Sequence, residues 1–72
     1  MNPSSNITIC VNGESFAIQN GACISDLLKE LKIGHPAVAV EINEKIRPRS
    51  DFDSVQFKDG DVVEVVSLVG GG

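Results

Sequence analysis

The stretch Val62-Val63-Glu64-Val65-Val66-Ser67-Leu68-Val69 leads straight into Gly70-Gly71-Gly72. A forked Cβ restricts the side-chain rotamer in a helix and packs well on a pleated surface, so a Val-dominated run favours extended backbone. Residues 62–69 therefore read as a strand, opened by the turn Asp59-Gly60-Asp61. Its near-continuous apolar content predicts a central strand covered on much of both faces. The same uniformity leaves its register open. Either Val63 and Val65 face the core, with Val62, Val66 and Leu68 outward around Glu64, or the reverse holds.

Working outward to the N-terminus, Ile7, Ile9 and Val11 alternate with Thr8 and Cys10, the period of a half-buried strand. Asn12-Gly13 tolerates the positive φ angles of a two-residue turn, and Phe16 and Ile18 resume the alternation over 14–18, so this unit is a β-hairpin. Ile24, Leu27, Leu28 and Leu31 then recur at helical spacing and predict one amphipathic helix over 24–32. Asp26 stands where a capping box needs its acid, but the cap itself is Cys23, whose thiol is a weak acceptor, and a frayed helix start follows. Gly34-His35-Pro36 supplies the helix stop. A third strand follows over 37–42, then a turn at Asn43-Glu44-Lys45 into Ile46. Pro48 cannot donate to a ladder and keeps the fourth strand short and at an edge. Residues 50–57 form a loop anchored by Phe52, Val55 or Phe57.

One helix against several strands gives an α+β domain, a mixed sheet wrapped over the helix. At 72 residues the chain is one domain with a thin core and little room for an interior active site. Residues 1–6 read as a disordered polar lead and 70–72 as a flexible reactive tail. Ten acidic against six basic residues, a net charge of −4, repel a phosphate backbone and speak against nucleic-acid binding. The longest apolar run, residues 37–40, is far short of the roughly 20 residues of a membrane span, and residues 1–6 lack an export signal. The expectation is a soluble cytoplasmic protein with Cys10 and Cys23 as reduced thiols.

A nucleophile with a base is hard to assemble from a single His and two separated cysteines. His35 reads as a loop or helix-end residue, and Cys10 and Cys23 as small structural side chains. Asp51, Asp53, Asp59 and Asp61 lack the ordering of a calcium loop and fit turn chemistry better, so no metal site is expected. Arg47-Pro48-Arg49 reads as a guard against edge pairing and a rim contact for a partner. The glycine tail carries the sharper meaning. Without Cβ atoms it can enter a channel closed to any side chain, and three extended residues span about 10 Å. Val62, Val66 and Leu68 would then form a docking patch beside it. A carboxylate is a poor electrophile, so acyl chemistry at Gly72 needs activation by a separate ATP-dependent enzyme; this chain has no phosphate-binding loop.

In the segments Asn43-Glu44-Lys45-Ile46-Arg47-Pro48-Arg49-Ser50-Asp51-Phe52, Lys58-Asp59-Gly60-Asp61-Val62-Val63-Glu64 and Val69-Gly70-Gly71-Gly72, the chain resembles the ThiS family, the sulfur carriers of thiamine thiazole synthesis. The resemblance spans residues 7–72. It departs in the polar lead, in Cys23 at the cap and in Arg47, where a small apolar residue is commoner. The resemblance implies a ubiquitin-like β-grasp fold with four or five strands, a monomer when free, and no enzyme activity or bound cofactor of its own. A ThiF-type enzyme, using ATP and magnesium, would adenylate Gly72. Sulfur from a cysteine desulfurase persulfide would make the thiocarboxylate, and a ThiG-type thiazole synthase would accept it. Gly70 and Gly71 would thread the partners' channels. Similar alternatives are the small subunit of molybdopterin synthase and a ubiquitin-like protein modifier.

Overall fold

A computed structural model describes residues 6–33 and 38–67. The first hairpin pairs β1 (Asn6–Val11) with β2 (Glu14–Gln19) around Asn12 and Gly13, both at positive φ (51° and 86°), as a two-residue hairpin turn requires. Asn6, assigned to the polar lead by its sequence, already pairs with Gln19. After α1 (Ile24–Glu30) come β3 (Val38–Ile42), β4 (Lys45–Arg47), a single 3-10 turn at Arg49–Asp51, and β5 (Val62–Ser67). The strands form one mixed sheet in the order β2-β1-β5-β3-β4. The last strand is thus the central one, parallel to β1 and antiparallel to β3. The short strand with Pro48 beyond it is at the edge, as the missing donor demands.

One correction concerns β5. Only one helix is available, so only one sheet face is covered: Val63 and Val65 are buried against the core, whereas Val62, Glu64 and Val66 face away from it. That core joins Ile9, Val11 and Ile18 of the first hairpin, Val38, Val40 and Ile42 of β3, and Ile24 and Leu27 of α1, with Phe52 and Phe57 closing one end.

The helix also differs from its sequence expectation at both ends. It stops at Glu30, ahead of Gly34. Lys32 takes the left-handed conformation (φ 60°), its N–H bonds the Lys29 carbonyl at 3.0 Å, and the Ile33 N–H bonds the Leu28 carbonyl at 3.0 Å. These are the two bonds of a Schellman motif, closed here without glycine while Leu28 and Ile33 both pack on the core. At its start the helix is clamped, not frayed. The Ser25 N–H bonds the Phe52 carbonyl at 2.8 Å, the Ser25 hydroxyl bonds Asp53, and Cys23 forms an antiparallel bridge with Gln56. The loop that buries Phe52 and Phe57 thereby satisfies one of the first turn's free donors, the Ser25 N–H.

Candidate functional site

The strand that leads to the glycines is held from both sides. On the β1 side, backbone N–H groups of Cys10 and Asn12 bond the carbonyls of Asp61 and Val63, each at 2.9 Å. Beyond β1 the side chain of Asn12 continues the ladder: its Oδ1 accepts from the Val65 N–H at 2.8 Å and its Nδ2 donates to the Val65 carbonyl at 3.2 Å. On the β3 side Asn43, also at positive φ, donates its N–H to the Val62 carbonyl at 2.7 Å and accepts the Val62 N–H on Oδ1 at 3.0 Å. Two asparagines, each in a hairpin turn, therefore brace β5 from either edge.

The face of the sheet away from α1 carries every exposed large apolar residue of the described chain: Ile46 at 70%, Val66 at 52% and Val62 at 48% exposure. The register makes these neighbours. Val66 lies opposite Ala39 on β3, Glu64 opposite Glu41, Glu41 in turn opposite Ile46 on β4, and Val62 beside Cys10 on β1. Grouped apolar side chains on an exposed sheet face mark an interaction surface. The structure thus places Val62 and Val66 where one of the two sequence registers put them. Ile46 was missed; its alternation with Lys45 and Arg47 in a short edge strand was the signal available. Leu68 and the glycines Gly70, Gly71 and Gly72 lie outside the described residues, as does His35.

The four clustered aspartates all serve local structure. Asp59 accepts the Thr8 N–H at 2.9 Å and Asp61 the Lys58 N–H at 2.8 Å, while Asp61 also takes the Asn43 side-chain amide at 3.0 Å. Asp53 meets Ser25, and Asp51 pairs with Arg47 at 3.4 Å. Arg47 turns toward that loop because it lies opposite buried Val40, on the other side of the sheet from Ile46. Cys10 and Cys23 are free thiols, half-buried on β1 and at the helix cap. Asp26 closes the capping box, its Oδ2 accepting the Cys23 N–H at 3.0 Å with the Cys23 thiol donating to the same oxygen at 3.4 Å. The backbone bond, then the thiol bond, with a smaller pull from Lys29, hold the Asp26 carboxyl below its ordinary pKa.

Residues 6–72 match the ThiS family model, which is nearly the whole chain. The chain belongs to the ThiS family. It is 34% identical to the sulfur carrier protein ThiS of Thermus thermophilus, the match covering 89% of this chain and 98% of that one. The crystal structure of the thiamine biosynthesis protein ThiS from Geobacter metallireducens superposes with a TM-score of 0.77 at 33% identity, over 92% of this chain and all of that one. The chain is also 38% identical to a segment making up 20% of a thiazole synthase from Paramagnetospirillum magneticum, with 89% of this chain matched. The five-stranded sheet over one helix is accordingly the ubiquitin-like β-grasp of ThiS, and this ThiS-family chain belongs among the small sulfur carriers of thiamine biosynthesis. No described helix is long and apolar enough to cross a membrane.

Proposed function

We propose that this ThiS-family chain carries sulfur as a thiocarboxylate on Gly72. A ThiF-type enzyme, using ATP and magnesium, adenylates the Gly72 carboxylate, which makes one oxygen a good leaving group as AMP. A persulfide derived from a cysteine desulfurase then displaces AMP to give an acyl disulfide, and a second thiolate attacks the outer sulfur, leaving the thiocarboxylate and forming a new disulfide between the two thiols. A ThiG-type thiazole synthase accepts the sulfur. Gly70 and Gly71 pass through the partners' channels because they carry no side chain, and Val62 and Val66, with Leu68 next along the chain, rest on the partner surface. The chain supplies the handle and the reacting end, while ATP binding and acyl activation belong to the partner.

The observation that carries this reading is the position of β5: the strand preceding the glycines is the central, doubly braced strand of a ThiS fold, and its outward face exposes Val62 and Val66. The thiazole synthase that contains a segment similar to this chain supports the same pathway. Intact mass spectrometry tests it. Incubation with ATP, magnesium, a ThiF-type enzyme and a persulfide source should add about 16 Da, oxygen for sulfur at an activated carboxyl, and fragmentation should place it on Gly72. An unchanged mass beside an enzyme that thiolates another ThiS would overturn the reading, as would a mature chain in which Gly72 is not the carboxyl terminus.

A further inference from the structure

At the centre of the outward face sits an arrangement that works against the free fold. Glu41 and Glu64 lie directly opposite each other on β3 and β5, where cross-strand side chains start about 5 Å apart and like charges are destabilising. Among the described residues neither carboxylate has an ion pair or a side-chain hydrogen bond, and the basic residues of β4, Lys45 and Arg47, stand on the other side of the sheet from Ile46. Around the two carboxylates lie the exposed apolar groups of Val62, Val66 and Ile46, with Ala39 between. Covering this face with an apolar partner surface would strip water from two adjacent anions, which is costly unless the partner brings a cation.

We propose that the outward face docks a surface that inserts a basic side chain, Arg or Lys, between Glu41 and Glu64, with apolar contacts to Val62, Val66 and Ile46 around it. A second copy of this chain is a poor occupant: face-to-face docking would gather four carboxylates from two molecules each of net charge −4. The occupant is instead the adenylating enzyme. Gly72 is five residues beyond Ser67, so an enzyme that engages its carboxylate comes within about 17 Å of the end of β5, in reach of the apolar face that Val66 carries there. This inference rests on the sulfur-carrier reading and specifies how that docking is selected. The glutamates discriminate among partners as well as attract one, because an acidic or neutral apolar surface is rejected.

The test is calorimetric titration of the full chain with its ThiF-type enzyme at low and high salt, for wild type, Glu41→Gln/Glu64→Gln and Val66→Asp, beside melting curves of each free protein. Removing both charges should weaken binding roughly tenfold at low salt and flatten the salt dependence, while the free variant melts at the same or a higher temperature. Glu64→Gln alone, at an exposed position, serves if the double variant melts lower. Unchanged affinity, or a lost affinity that keeps the wild-type salt dependence, overturns the basic contact. Weakening by Val66→Asp alone would leave a docking face without charge selection. If the wild type gains the thiocarboxylate mass while all these variants bind normally, the carrier reading stands and the face is wrong. If the wild type neither binds nor gains the mass, both fall.

Discussion

Asn12 shows how much one side chain can do in a chain this short. Its αL backbone makes the hairpin turn, and its amide replaces a missing strand residue by pairing with both polar groups of Val65. Asn12→Gly separates the two roles, since glycine keeps the positive φ and deletes the amide. Losing two hydrogen bonds to a part-buried backbone should lower stability by about 1–3 kcal/mol, less where water replaces the amide. Hydrogen exchange of the Val65 N–H should accelerate beyond the global change, and equal protection in both proteins would show that the amide contributes nothing. The turn was legible in the Asn-Gly pair; the second role was not, because it depends on β5 lying parallel to β1 more than fifty positions later. Ile46 was hidden for a similar reason. Its alternation with Lys45 and Arg47 puts it on the opposite side from them, but which side faces away from the core is set by pairing with Glu41.

At the scale of elements, the periodicity of Ile24, Leu27 and Leu28 reveals the helix and its buried face, but its ends are set by contacts distant in sequence. Lys32 closes it where the sequence offers Gly34, since packing of Ile33 and Leu28 on the core offsets the cost of a left-handed lysine. The start depends on Asp26. A carboxyl with a lowered folded-state pKa stabilises the native state above its unfolded value, and that stabilisation is lost as pH falls through the folded value. Stability should therefore decline below about pH 4, with Asp26 among the causes. Asp26→Asn keeps an acceptor for the Cys23 N–H but cannot ionise. The wild type should melt above this variant at pH 7, with the gap narrowing at acid pH as Asp26 takes up its proton. A melting gap of the same size at neutral and acid pH would assign the effect to geometry and not to charge. The charge also suits the helix N-terminus, where free N–H groups give a partial positive end.

For the whole molecule, the chemistry proposed at Gly72 lies in a different part of the chain from the described core. Among the described residues the buried ones run from Ile9 to Val65. At roughly 0.05–0.15 kcal/mol per residue, such a domain has about 4–11 kcal/mol of stability to lose. Leu27 is fully buried, and Leu27→Ala should cost about 2–5 kcal/mol, a large share of that total, through lost burial and the cavity left under the sheet. Removing residues 70–72 takes away no part of the described core. The truncated chain should melt with the full chain and take up no sulfur, whereas Leu27→Ala should melt far lower and, at a temperature where it remains folded, still gain the thiocarboxylate mass. Thermal melts and intact masses on the two proteins read both quantities side by side. A truncated chain that melts lower would mean the glycines pack on the fold. A folded Leu27→Ala protein that stays unmodified would mean the partner reads the core's rigidity as well as the outward face, because a loosened helix would then disturb the register that brings Val62, Glu64 and Val66 into one surface.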